Sequence, residues 1–210
     1  MDEIFPSVRS ESSASIKVEG SRFIADLFPV TEEEEAKGTL ESVRKKYYDA
    51  THHCFAYIIG AERTNVRYSD DGEPNGTAGV KIHSALHARN CSDVLLVVTR
   101  YFGGTKLGVG GLGRAYFEAA EEVLSKAQFI SKAVVKEMHI AFPFSETNPV
   151  MNLINTQKLR IVRTDYTEDR SIITLHILPS HFASVQLSMT NATRGLADIS
   201  AGVTQTVVWQ

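Results

Sequence analysis

A chain of 210 residues, 43% hydrophobic and 22% charged, reads as an ordinary water-soluble globular protein with room for one large or two small domains, and none of its apolar runs approaches the roughly 18–20 residues of a membrane span. A formal net charge of −3 argues against a protein that coats nucleic acid indiscriminately, while leaving room for a local basic patch. The acidic opening MDEIFPSVRSESSAS lacks the apolar centre of a signal peptide, and two cysteines, Cys54 and Cys91, do not make a disulfide framework; together they point to a reducing, cytoplasmic location with no membrane partner.

In chain order, SIKVEGSRFIADLFPV gives two β-rich runs, Ser15–Glu19 and Arg22–Val30, broken at Gly20-Ser21. Thr31 followed by Glu34 has the spacing of a capping box, and Ala36, Leu40, Val43 and Tyr47 then recur at helical spacing. The acidic run Glu32–Glu35 sits at the favourable end of that helix dipole. CFAYIIGA and NVRYS form a candidate hairpin, and the loop DDGEPNGTAG leads to a helix over about Thr77–Arg89. DVLLVVTRY is a continuous apolar run of the kind found in a strand buried on both faces. GRAYFEAAEEVLSKA is an amphipathic helix over 113–127.

After Ser131 the pattern restarts as AVVKEMHIAF (strand), a helix with Asn148 as N-cap and Pro149 in its first turn, the strands LRIVRTDY and SIITLHIL, a helix capped by Ser180 and stopped at Gly195, and the strand ISAGVTQTVVW. The expected class is therefore α+β, with an N-terminal α/β domain over residues 1–131 and a C-terminal β-α-β-β-α-β domain over 132–210, the split arrangement of ferredoxin-like folds.

Between Gly103 and Gly113 lie six of the fourteen glycines, and GVGGLG satisfies G-x-G-x-x-G at Gly108, Gly110 and Gly113. A dinucleotide fold would put its first glycine at the strand tip, but FGGTKL intervenes here, and no acidic residue ends a second strand about twenty positions on. The P-loop pattern fails because no glycine-lysine-serine/threonine triplet occurs. Two readings stay open: a tight strand-to-helix crossover, or an anion-tolerant surface in which free helix N–H groups are bracketed by Arg100, Lys106 and Arg114.

Asp70, Asp71 and Glu73 crowd a second loop, where they could hold a divalent cation or act as acid and base, or form a structured turn or recognition loop that folds against itself or against Arg100. His83, His87 and Cys91 are spaced along one helical stripe, and with His52, His53 and Cys54 they raise the question of zinc. Asn90 is expected to end the helix and carry Cys91 off the stripe, which favours buried thiols over ligands. No cofactor is expected.

The segments SRFIA, ATHHCFAY, SDDGEPNGTAG and VVTRYFGGTKLGVGGLGRAY, with the trailing β-α-β-β-α-β half, closely resemble the YigZ/IMPACT family, from about Ser15 to Trp209. The resemblance implies an N-terminal domain similar to domain IV of elongation factor G and a C-terminal domain similar to its domain V. Eukaryotic relatives regulate translation by binding a protein that activates a kinase acting on an initiation factor; for bacterial members the proposals centre on nucleic acid or the ribosome. Carried over by position, the marked surface comprises His52, Asp70, Asp71, Glu73, Thr77, Arg100, Tyr101, Gly103, Gly104, Lys106, Gly110, Gly111, Arg114 and Tyr116. After TAG the family usually has a short proline-containing segment, where this chain reads VKIHSALH, with Val80 and Lys81 in its place.

The leading expectation is a noncatalytic binding protein that engages structured RNA or the ribosome. Arg100, Gly103, Gly104, Lys106, Gly110, Gly111 and Arg114 would face the anion, with Lys158, Arg160 and Arg163 as a weaker second patch. The alternatives are a metal-dependent hydrolase using Asp70, Asp71 and Glu73 with His52, and a protein-interaction module.

Overall fold

The computed structural model describes residues 3–209, which divide into a first unit up to Lys132, joined by Trp209, and a second unit of Ala133–Val208. In the first unit, strands β1 (Ile4–Val8), β2 (Ser12–Val18) and β3 (Ser21–Pro29) precede helix α1 (Glu33–Lys46). Then come β4 (His52–Ile59), β5 (Asn65–Ser69), helix α2 (Gly79–Ala88), β6 (Val94–Tyr101) and helix α3 (Gly108–Lys126).

Strands β2-β3-β6-β4-β5 make one antiparallel sheet with β6 at its centre. That position explains the unbroken apolar run. Val94, Leu96 and Val98 pack with α2 and α3 on one face, while Leu95 and Val97 pack with Ala36, Leu40 and Val43 of α1 on the other. The expected hairpin is present as β4 paired with β5.

Four local expectations are corrected. The α1 capping interaction falls one residue later than the Thr31–Glu34 pair: Glu35 Oε2 accepts from Thr31 N at 2.7 Å, and Glu34 pairs with Lys37 instead. Helix α3 starts at Gly108 rather than Gly113, so GVGGLG forms its first turns and is not a loop before it. Asn148 lies inside helix α4 (Thr147–Thr156) and Ser180 lies in a single 3₁₀ turn before α5 (Phe182–Ala192), because a short 3₁₀ turn precedes each helix and takes over its entry. Strand β1 carries no sequence signal of its own; its end is held where Arg9 N donates to Gln128 O, just before β7 (Phe129–Pro143).

The second unit runs β7, α4, β8 (Arg160–Tyr166), β9 (Arg170–Ile177), α5 and β10 (Asp198–Trp209), with sheet order β10-β7-β9-β8. Met138, Ile140 and Phe142 of β7 and Ile173, Leu175 and Ile177 of β9 face Val150 and Ile154 of α4 and Val185 and Met189 of α5. Gly195 ends α5 as expected, with φ of 78° and its N–H bonded to Thr190 O at 2.8 Å.

Candidate anion-binding site of the first unit

The carboxylates of the loop 70–79 do not converge on open space; each is bound to its surroundings. Asp70 Oδ1 accepts from Ala78 N and Gly79 N at 2.9 and 2.8 Å, and Oδ2 accepts from Gly76 N at 2.8 Å. The side chain thus caps α2 from nine residues upstream. Partial burial pushes its carboxyl upward, but the three backbone donors outweigh this and hold it below the usual carboxylate range. Asp71, in the left-handed region at φ of 43°, takes His53 N at 2.7 Å and Arg44 Nη2 at 3.1 Å. Its carbonyl accepts from His52 Nδ1 at 2.8 Å, which turns His52 Nε2 toward Glu73 Oε2 at 3.9 Å. Thr77 is buried and closes the loop by donating to Pro74 O at 2.6 Å.

Glu73 is the centre of the site. Its Oε1 accepts from Arg100 Nη1 at 2.7 Å and from Tyr116 Oη at 2.8 Å, and all three residues are buried. Burial first, then the neighbouring Cys54 and Glu73, push the Tyr116 hydroxyl far above its ordinary value, so it stays a donor. Cys54 donates to Asp70 O at 3.0 Å, and its sulfur lies 3.3 Å from Tyr116 Oη.

This arrangement corrects the expected role of Arg100. Only 5% exposed, it is spent on Glu73 and on Ser21 Oγ at 3.3 Å, between the rings of Phe23 and Phe102. A phosphate on the protein surface cannot use that charge, because the guanidinium is buried and already neutralised by Glu73. Gly103 and Gly104 also serve the fold. A Cβ on Gly103 would stand 1.9 Å from the backbone carbon of Gly20, and Gly104 has φ of 89°. Tyr101 bonds Asp49 through its hydroxyl at 2.9 Å.

The structure leaves Lys106 and Arg114 exposed, and among the described residues neither has an ion-pair partner. They flank the first turns of α3, where Gly110 is exposed and Gly111 half-buried. Two clefts meet there and share Val109. One, of about 350 Å³, is lined by Glu73, Arg100, Phe102, Lys106 and the start of α3. The other, of about 470 Å³, is lined by Lys81, Gly110, Arg114, Phe117 and Glu118. Lys81, singled out only as a departure from the family pattern, therefore joins the cationic group, and its stem packs where a Cβ on Gly113 would sit, 3.2 Å away. Residue reasoning missed Ser21, Arg44 and Phe102; a polar turn residue, a basic helix end and an aromatic beside a glycine pair carry no signal that separates them from surface residues.

In the second unit Lys158, Arg160 and Arg163 are exposed, but Arg160 bonds Val208 O at 2.9 Å and Arg163 pairs with Asp165 at 2.7 Å. As expected, α2 ends before Asn90, which has φ of 52°, and Cys91 is buried beyond it. The rings of His83 and His87 lie 6.0 Å apart, and among the described residues no group of three His, Cys, Asp or Glu side chains is arranged to hold a metal ion.

The sequence profile of the Impact N-terminal domain matches residues 19–124. The chain is 34% identical over 195 residues to the IMPACT family member YvyE of Bacillus subtilis, covering 93% of this chain and 89% of that protein. It is also 34% identical over 152 residues to the IMPACT family member YigZ of Escherichia coli, covering 71% and 74%. A crystal structure of a hypothetical protein superposes with a TM-score of 0.66 at 27% identity, covering 97% of this chain and 99% of that one. The matched profile spans β3 to α3 and so contains both clefts and the Glu73–Arg100–Tyr116 cluster. By that profile and these relatives, the chain belongs to the IMPACT family.

Proposed function

We propose that this protein is a noncatalytic binder of RNA, free or in the ribosome, acting in the regulation of translation in the cytoplasm. One observation carries the reading: Lys106, Arg114 and Lys81, without an ion-pair partner among the described residues, surround the N-terminus of the 19-residue helix α3, whose first N–H groups and dipole favour an anion. Contacts of this kind grip phosphate without reading sequence. The hydrolase alternative draws no support from carboxylates that already bond backbone N–H groups, Arg44, Arg100 and Tyr116. The fold kinships belong to the same proposal. The order β7-α4-β8-β9-α5-β10 with sheet order β10-β7-β9-β8 supports a ferredoxin-like second domain. The kinship of the first domain with domain IV of elongation factor G rests on the motif resemblance.

The test is sedimentation of cell lysate at low and high salt, followed by RNA binding of the purified chain across a salt series. Co-sedimentation with ribosomes or RNA at low salt, and a salt slope reduced by about one unit in Lys106→Ala, are expected. RNA affinity indifferent to both salt and Lys106→Ala would overturn the reading.

A further inference from the structure

The smaller cleft holds more than a helix terminus and a lysine. Its floor is the Glu73–Arg100 pair, which is electrically balanced but not saturated. Arg100 Nε is buried and has no acceptor, although Arg100 is 5% exposed and lines the cleft. A buried donor without a partner is a cost that folded proteins rarely leave standing. Beside it, Glu73 accepts the Arg100 and Tyr116 hydrogen bonds through Oε1, while its Oε2 lies 3.9 Å from His52 Nε2. Both residues line the cavity, one with a buried donor that has no acceptor and the other with a carboxylate oxygen outside the Arg100 and Tyr116 bonds. The wall carries Phe102, 48% exposed although it is a large aromatic ring. The rim carries Lys106 and the first turn of α3.

These parts match one kind of ligand. Paired donor and acceptor groups read the edge of a heteroaromatic ring, an exposed phenyl ring offers it a stacking partner, and an unpaired lysine beside free helix N–H groups takes a phosphate. At about 350 Å³ the cavity lies at the small end of ligand sites and suits a single nucleotide rather than a duplex. We infer that the cleft between Phe102, the Glu73–Arg100 pair and the N-terminus of α3 is a binding site for one nucleoside monophosphate unit, its base against Phe102 and its phosphate at Lys106. The unit is supplied either by the phosphate-bearing end of a single strand or by a free mononucleotide. The polymer source rests on the RNA-binding reading above; the pocket itself does not.

The experiment measures binding of a short single-stranded oligoadenylate, with and without a terminal phosphate, and of free adenosine monophosphate, to the full chain and to Phe102→Ala, Phe102→Tyr and Lys106→Ala. Phe102 and Lys106 are exposed, so these variants keep the fold, and urea denaturation verifies it. Removing the terminal phosphate and truncating Phe102 should each weaken oligonucleotide binding by about tenfold, Phe102→Tyr should keep it, and adenosine monophosphate should compete. Binding that depends on salt and Lys106 but ignores Phe102 and the terminal phosphate overturns the pocket and leaves the RNA reading intact. Phe102-dependent binding of adenosine monophosphate without oligonucleotide binding upholds the pocket and overturns the RNA reading. Binding of neither overturns both.

Discussion

Arg100 donates to Glu73 Oε1 at 2.7 Å across 27 residues of sequence, with side chains 6% and 4% exposed. Removing one partner of so buried a pair strands the other charge in the core, and Arg100→Ala should lower stability by about 3–5 kcal/mol. Lys106→Ala, at an exposed site, should leave the urea midpoint unchanged. Equal midpoints for wild type and Arg100→Ala would contradict the buried pair.

Two neighbouring glycines should respond differently to the same substitution. In Gly103→Ala the new methyl meets the backbone of the β2–β3 turn at 1.9 Å, and backbone cannot rotate away. A loss of about 3 kcal/mol is expected. In Gly104→Ala nothing lies within 4 Å, and only the φ of 89° is strained, which costs about 1 kcal/mol. Thermal denaturation of both variants tests the order.

Acid should act partly through Asp70. Its carboxyl is held below the ordinary value in the fold, so its contribution is present above the unfolded value of about 3.9 and is lost as pH falls through the folded one. Asp70→Asn should cost about 2 kcal/mol at neutral pH, since an amide offers one acceptor oxygen to three donors. The gap between variant and wild type should close as pH falls through the folded value. Urea midpoints across that range measure it; a constant gap would contradict the assignment.

Neither thiol should react in the native protein. Burial pushes Cys91 up to about 12, against a small opposing effect of Arg89, and raises Cys54 further still. Iodoacetamide at mildly alkaline pH should leave both unmodified, and urea should expose both, as read by mass spectrometry.

Much of the scaffold was legible locally. The unbroken apolar run of β6 announced a strand covered on both faces, and α1 and α3 package that strand as its composition requires. The reach of α3 back to Gly108 was not legible, because glycines disfavour a helix interior and only the packing of Leu112 and Gly113 on the body of the first unit sustains it. For the site, the two loops and their residues stood out in the sequence, yet their roles did not. Asp70 and Asp71 could be cation ligands or turn formers until their backbone partners were in view, and Arg100 could equally grip an anion or hold the loop until its burial against Glu73 was seen.

The amino-acid order by itself determined the alternation of elements, the family and the concentration of polar residues at two glycine-rich segments. These depend on spacing within a few residues and on long specific motifs. Only the tertiary structure decided which charges are spent and which are available. Arg100 and Glu73 neutralise each other in the core because β6 brings the guanidinium under the loop 70–79, while Lys106 and Arg114 stay in solvent without an ion-pair partner among the described residues. Charge pairing is settled by distance in space and by burial, and neither is encoded in the spacing of residues along the chain.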